Sequence, residues 1–240
     1  MEVLLLVAAA VFLGAAMQRV TGLGFGLVSG PVLVLALGAF TGVVLANLMS
    51  LVVNLVLLAL LWRQVLWRRT ALLAGPALLM VPAGALVVRV LPGPVLSLAV
   101  GLTVLLALVV VLVSRRGRLS NGNRGAVIAG AASGFMNATA AVGGPAVTVY
   151  AISTGWRGPG FVASLQLYFA VINAAALLAK GLPSLSPATW LAAGLGLVVG
   201  SAAGHLLSRR VSFEQAFPVV VGLALVASSA TVVRSVLDLV

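Results

Sequence analysis

The sequence predicts an all-α polytopic membrane protein, built as an inverted repeat of two halves with five segments each. Three observations predict this fold class. Apolar residues make up 62% of the 240-residue chain and charged residues only 7%, too few to keep the surface of a water-soluble globule wet. The apolar residues form ten segments, separated mainly by Gly, Pro and short charged stretches. A pattern of rare polar residues then recurs at a constant spacing of 119.

Amide residues are the strongest evidence for this repeat, because they are uncommon in the chain. Asn and Gln together number 10 of 240 residues, yet three of the four amides in the first half meet an amide in the second half without a gap. The pairs are Gln18 with Asn137, Asn47 with Gln166, and Asn54 with Asn173, and Gly24 likewise meets Gly143. We therefore interpret residues 1–119 as an N-terminal repeat and residues 120–240 as a C-terminal repeat of a single membrane domain.

The ten segments define the order of the predicted helices. They cover residues 3 to 18, 25 to 38, 42 to 62, 71 to 90, 95 to 113, 126 to 139, 144 to 156, 161 to 179, 188 to 207 and 214 to 237. The last three of each half approach the ~20 residues that a helix needs to cross a hydrocarbon core of ~30 Å. The first two of each half are short, and each pair is predicted to form helix, Gly-rich turn, helix. Such a pair is either a re-entrant hairpin or two crossings.

Arginines in short loops predict the orientation of the chain. Arg63, Arg68 and Arg69 share one loop, and Arg115, Arg116, Arg118 and Arg124 lie in the loop between the halves. The positive-inside rule places both loops in the cytoplasm, with both termini and Lys180 external. Since each half has an odd number of segments, the two halves have opposite orientations, which makes the repeat inverted. The chain is therefore expected to cross a membrane several times.

Charge and composition also limit the partners. The net charge of +11 serves as a topology signal, because the cations lie in short loops without aromatic interleaving, so we expect no nucleic acid partner. The chain has no cysteine, which rules out disulfides and thiolate metal sites. We expect no cofactor and no metal. The expected partners are the lipid bilayer and a small anionic substrate, and the sequence leaves open whether the protein forms a homodimer.

The two Gly-rich turns form the candidate substrate-binding site. Its polar and glycine residues are Gln18, Thr21, Gly22 and Gly24 in the first turn, and Asn137, Thr139, Gly143, Gly144 and Pro145 in the second. Each turn begins a helix whose N-terminus exposes N–H groups and carries partial positive charge, which suits an anion. Pro145 fits there, because the N–H that proline lacks would be unpaired in the first helical turn. Small residues are equally typical of close helix packing in lipid.

Arg19 is predicted to supply positive charge to this site. The only acids of the chain, Glu2, Glu214 and Asp238, lie at segment ends, so an arginine inside the bilayer has a bound anion as its predicted counter-charge. The alternative is that Arg19 reaches the interface or caps backbone carbonyls. His205 lies near a segment end, where a structural role is more common than proton transfer.

Four amides extend the candidate site along two long helices. Asn47 and Asn54 are seven residues apart and share one helix face, and Gln166 and Asn173 repeat this spacing. These side chains either line a substrate cavity or form interhelical hydrogen bonds, which average about 0.6 kcal/mol in membranes. The sequence does not decide between these two roles.

The motifs at these turns resemble a known family. They are Ser133-Gly134-Phe135-Met136, Val142-Gly143-Gly144-Pro145-Ala146-Val147-Thr148-Val149-Tyr150 and Thr21-Gly22-Leu23-Gly24-Phe25-Gly26. They are similar to those of the TauE/SafE family of sulfite and organosulfonate permeases, over the whole chain. The resemblance implies a multi-pass carrier of a bacterial-type plasma membrane for sulfur-containing anions, usually regarded as an exporter, without a cofactor. The chain departs from the family pattern at Phe25, where a third glycine is common, and at Asn137 and Ala138, which replace glycines.

The sequence thus predicts a secondary transporter and not an enzyme. We expect it to export small anions, sulfite or organosulfonates, by alternating access at a midplane site between the repeats. The alternatives are a passive anion channel, a lipid or partner scaffold, and an intramembrane lipid-phosphate enzyme, which is disfavoured because no Asp or Glu lies within a segment. The same lack of acids predicts transport driven by the anion gradient and the membrane potential, with sodium coupling as the alternative.

Overall fold

The computed structural model describes residues 1–22, 24–114 and 122–239, and the regular elements in these ranges are all helical. Ten α-helices follow the ten predicted segments in order. They are α1 Glu2–Thr21, α2 Gly24–Leu37, α3 Ala39–Leu61, α4 Trp67–Val90, α5 Gly93–Ser114, α6 Gly122–Ala140, α7 Gly144–Thr154, α8 Pro159–Lys180, α9 Pro187–Leu207 and α10 Phe213–Leu237. A 3-10 turn, Trp62–Gln64, follows α3. Within the described ranges, seven helices are long and apolar enough to cross a membrane, which confirms the all-α polytopic prediction.

Some predicted features lie outside the described residues. These are Leu23 of the first Gly-rich turn and most of the arginine loop between the halves, with Arg115, Arg116 and Arg118.

Helix α1 corrects the expectation that the first two segments of each half are short. It has 20 residues and is one of the seven possible spans, and α6 has 19 residues. The polar residues at the end of segment 3 to 18 continue the helix instead of ending it, because Thr21 Oγ1 donates to the carbonyl of Met17 at 2.8 Å. Helices α2 and α7, with 14 and 11 residues, are short as predicted.

Helices α3 and α8 form an antiparallel pair that carries all four predicted amides of the long helices. Asn47, near the start of α3, bonds Asn173 and Lys180 in the last third of α8. Asn54 lies seven residues further along α3, and Gln166 lies near the start of α8. Both accept a hydrogen bond from the side chain of Gln18. Residue numbers therefore rise along α3 as they fall along α8, and the candidate site lies along this pair.

Two further pairs run parallel and pack through small residues. Gly196, Gly200 and Gly204 of α9 contact the backbone of Ala8, Phe12 and Ala16 of α1, and Gly130 and Gly134 of α6 contact Leu73 and Ala77 of α4. An added Cβ would lie within 2.7 Å of a backbone atom at each of these glycines. Such spacing by four residues is the small-residue packing typical of helices in lipid. It holds α1 alongside α9, and α6 alongside α4, so that the turn after each of α1 and α6 is fixed in place.

Candidate functional site

The N-termini of α2 and α7 meet inside the molecule. Helix α2 begins at Gly24 and α7 at Gly144, each directly after its Gly-rich turn. The two turns touch through their backbones, because a Cβ added to Gly26 would lie 1.8 Å from the carbonyl oxygen of Ala141. Gly22, with φ of 77°, ends α1 in the left-handed conformation that glycine adopts without strain. Glycine thus allows both the tight turn and the close approach.

A small, mainly polar cavity lies between these helix N-termini. Its lining comprises Gln18, Gly26, Leu27, Ser50, Asn137, Ala141, Val142, Gly143, Gly144 and Phe169. It has room for about one water molecule. Among the described residues, the backbone N–H groups of Gly26 and Gly144 have no acceptor. First-turn N–H groups carry partial positive charge, so both helices direct that charge at the cavity.

Gln18, Asn54 and Gln166 form a first amide cluster beside the α1–α2 turn. The Gln18 Nε2 donates to Asn54 Oδ1 at 2.9 Å and to the carbonyl of Gly22 at 3.1 Å, and lies 3.5 Å from Gln166 Oε1. The Gln18 Oε1 accepts the backbone N–H of Phe25 at 3.1 Å. Gln18 therefore holds the turn closed and ties it to both long helices.

Asn47, Asn137 and Asn173 form a second amide cluster beside the α6–α7 turn. The Asn137 Nδ2 donates to Asn173 Oδ1 at 2.9 Å, and the Asn47 Nδ2 donates to the same oxygen at 2.8 Å. The Asn47 Nδ2 also contacts the carbonyl of Asn137 at 3.2 Å. The amide oxygen of Asn47 accepts from Lys180 Nζ at 2.5 Å, and Lys180 also donates to the carbonyl of Ala138 at 2.8 Å.

Ser50 connects the two clusters. Its hydroxyl oxygen accepts from Asn173 Nδ2 at 3.2 Å and from Asn54 Nδ2 at 3.3 Å. The buried hydroxyls of Thr21 and Thr139 donate to the carbonyl four residues earlier, and that of Ser133 donates to the carbonyl of Gly143 at 2.7 Å. Ser50 has no such bond among the described residues, and it lines the cavity. Its proton is therefore available to an acceptor inside the cavity.

Not every predicted site residue reaches this cavity. Thr21, Gly24 and Pro145 border a second, apolar cavity against α5 and α10, which includes Leu108 and Phe217. The hydroxyls of Thr21 and Thr139 bond carbonyls of their own helices. These residues shape the turns and are not arranged as donors to the polar cavity.

Arg19 lies apart from the amides. Its Nη2 is 3.0 Å from Nδ1 of His205, which is exposed near the end of α9. The guanidinium therefore projects from α1 toward α9, while the adjacent Gln18 projects into the first amide cluster. The structure does not bring Arg19 together with the other predicted site residues.

Two residues of the site escape the sequence reasoning. From the sequence, Lys180 is interpreted as a loop cation because it lies at the end of a segment. In the structure its side chain is only 5% exposed and bonds Asn47 of the second amide cluster. The signal that could identify it is spacing, since Gln166, Asn173 and Lys180 recur every seven residues on one face of α8. Ser50 lies on the same face of α3 as Asn47 and Asn54, three residues after Asn47 and four residues before Asn54.

The site is rich in donors and lacks carboxylates. Within the described ranges, no three His, Cys, Asp or Glu side chains are placed to hold a metal ion. Among the described residues, no acidic side chain bonds to either amide cluster. Neutral amides, a serine hydroxyl, helix N-termini and one lysine together make an environment suited to an oxyanion.

Comparison with known proteins agrees with this chemistry. Neither a curated protein nor a solved structure matches the chain. A family model described as Sulfite exporter TauE/SafE matches residues 6–232, almost the whole chain. The protein is therefore a multi-pass membrane protein that belongs to the TauE/SafE sulfite exporter family.

Proposed function

We propose that this protein is a secondary carrier that exports a small oxyanion, sulfite or an organosulfonate, through the cavity between α2 and α7. The observation that carries the proposal is the convergence of two helix N-termini on a cavity that Gln18, Ser50 and Asn137 line with polar side chains. Helix N-termini at interrupted segments are a recurrent way for transporters to hold anionic groups. Sulfite and sulfonates present several acceptor oxygens and need no donor of their own.

Lys180, rather than Arg19, is the cation that we assign to this function. It is buried, and its two acceptors, the amide of Asn47 and the carbonyl of Ala138, are neutral. A buried ammonium group without a counter-charge is costly, and an anion in the neighbouring cavity would offset that cost. The lysine also fixes the orientation of Asn47, because only the amide oxygen accepts its protons.

An inverted repeat explains the hydrogen bonding on both sides of the cavity. The bond from Gln18 to Asn54 is 2.9 Å, and the bond from Asn137 to Asn173, at positions 119 residues later, is also 2.9 Å. Helix pairs correspond in the same way, since α1 packs on α9 and α6 packs on α4. In this proposal each repeat contributes one turn and one helix N-terminus to a shared substrate site, and both repeats supply side chains to each amide cluster.

The small size of the cavity supports a carrier over a passive channel. A conducting channel needs a continuous wet path, whereas this cavity has room for about one water molecule. A sulfonate enters only after one of the two turns moves away from the other. Alternating access therefore follows naturally if the cavity opens to one side of the membrane at a time.

Ligand stabilisation of the purified protein tests this function. Sulfite and an organosulfonate such as sulfoacetate should raise the unfolding temperature more than acetate at equal concentration, because binding stabilises by about 2.7 kcal/mol at 100 times Kd. Asn137→Ala should remove most of the shift. Asn123→Ala, an exposed amide on the same helix, is the matched control. Equal shifts with all three anions, or with both variants, would refute the proposed site.

A further inference from the structure

Three basic side chains meet at the end of α9, away from the polar cavity. The Arg19 Nη2 lies 3.0 Å from Nδ1 of His205, and the Arg209 Nη2 lies 3.3 Å from Nε2 of the same ring. His205 and Arg209 are exposed, while Arg19 extends to them from the last turn of α1. We call these three residues the basic triad.

Hydrogen-bond chemistry leaves the basic triad unsatisfied. A guanidinium group only donates, and a neutral imidazole has one accepting nitrogen and one N–H. Only one of the two arginines can therefore donate to His205, and the other faces a ring N–H. If the imidazole is protonated, neither contact is a hydrogen bond and three cations lie together.

Among the described residues, the triad side chains contact no other hydrogen-bond acceptor. Neither Glu2, Glu214 nor Asp238, the only acids of the chain, bonds to the triad in the described structure. Within the described residues, neither arginine bonds a final carbonyl of α9, and those of Gly204 and Leu206 accept backbone N–H groups of the next turn. Capping of the helix end therefore does not account for the arginines.

We propose that the basic triad binds an oxyanion at the membrane interface, as a second site separate from the polar cavity. One tetrahedral anion can accept from both guanidinium groups and from the imidazole N–H, which resolves the donor conflict. The triad lies at the end of a helix of span length, the level at which lipid headgroups meet water. Its ligand is the phosphate of an anionic lipid or a soluble oxyanion of the same chemistry.

Titrations of the full-length protein in neutral detergent test the second site. One arm uses short-chain phosphatidylglycerol with phosphatidylcholine as the uncharged comparison, and the other uses inorganic phosphate without lipid. Bound ligand is measured by phosphorus NMR and by the unfolding temperature. Arg19→Gln and Arg209→Gln should each weaken binding by at least about tenfold, the effect of a lost charge-assisted hydrogen bond.

Arg210→Gln provides the matched control, because it removes the same charge one residue away from the triad. It should change affinity by less than about twofold. Arg19→Lys should recover only part of the loss, since an ammonium group lacks the planar fork. If Arg19→Gln does not fold, Arg209→Gln carries the test alone, because Arg209 is exposed.

The two arms identify the source of the anion. Binding of phosphatidylglycerol without binding of phosphate assigns the site to lipid, and binding of both assigns it to free oxyanions as well. Equal losses in Arg209→Gln and Arg210→Gln, or no specific binding in either arm, would overturn the proposal. Asn137→Ala should retain triad binding, so a failure of the transport proposal remains distinguishable.

Discussion

Lys180 Nζ donates to Oδ1 of Asn47 at 2.5 Å, and this bond fixes a cation against the second amide cluster. Because the amide oxygen of Asn47 faces Lys180, its Nδ2 faces Asn173 and donates to the amide oxygen of that residue. Asn173 in turn donates to Ser50 at the cavity. One lysine at the end of α8 therefore sets the donor direction of side chains along α3 and α8.

Replacement of Lys180 tests this role. Lys180→Met should weaken the binding of sulfite or sulfoacetate by at least about tenfold, since it removes the buried charge and a charge-assisted donor. Isothermal titration of the purified protein provides the measurement. Arg89→Met is the control, because Arg89 is an exposed cation near the end of α4 and should leave the affinity unchanged. An unchanged Kd in folded Lys180→Met would remove Lys180 from the site.

Ser50→Ala should reduce affinity for the anion by about fivefold or more, through the loss of one hydroxyl donor in the cavity. Ser29→Ala is the matched control, because Ser29 is equally a helix serine but donates to the carbonyl of Phe25 at 2.6 Å. Both variants are compared by titration with sulfite. Identical affinities for the two variants would show that the Ser50 proton does not reach the substrate.

Gly26→Ala should destabilise the protein by roughly 2 kcal/mol, as expected for overpacking, because the new methyl group collides with the Ala141 carbonyl. The unfolding temperature in detergent reports this loss. In contrast, Gly75→Ala introduces a methyl group with no neighbour within 4 Å and should be neutral or slightly stabilising. A neutral Gly26→Ala would mean that the two turns do not touch in the protein.

Cysteine labelling tests the orientation in the membrane. Ser120, in the arginine loop, is a natural site for a cysteine but lies outside the described residues, whereas Asn123 and Ser184 are described and exposed. In intact cells an impermeant reagent should label a cysteine at Ser184 and not one at Asn123. The chain has no native cysteine, so the background is low. Labelling of both positions from outside would contradict the inverted orientation of the halves.

Energy coupling is tested in proteoliposomes. A monoanion gains ~2.3 kcal/mol per 100 mV when it leaves a compartment that is negative inside. Substrate should therefore leave such vesicles without sodium or a pH gradient, and efflux should slow strongly when the potential is clamped at zero. A strict requirement for sodium would favour cation coupling at the turns, and a strict requirement for a pH gradient would indicate proton coupling.

Much of the fold follows from the sequence, because apolar length and rare amides are direct physical constraints. All ten helices correspond to predicted segments, and the amide pairs that repeat at 119 residues lie in two clusters. The predicted end of α1 is wrong, because a polar side chain such as Thr21 can satisfy itself within its own helix. Composition cannot distinguish that case from a true helix end.

Side-chain direction explains the remaining differences. Arg19 and Gln18 are neighbours in sequence, but successive helix residues point about 100° apart, so one faces α9 and the other the amides. Lys180 ends its segment, and a sequence gives no sign of whether such a side chain points outward or back. Only the seven-residue spacing with Asn173 indicates the inward direction.

The seven-residue spacing of Asn47 and Asn54 sets a distance for transport. At 1.5 Å per residue, the two amide clusters are about 10 Å apart along α3, a third of a hydrocarbon core of ~30 Å. Once water reaches each cluster from its own side, the electric field of the membrane falls mainly across this short interval. We therefore expect a displacement of about 10 Å to carry an anion through most of the membrane voltage. Small movements of the two Gly-rich turns then perform electrical work that otherwise requires transfer across the whole bilayer.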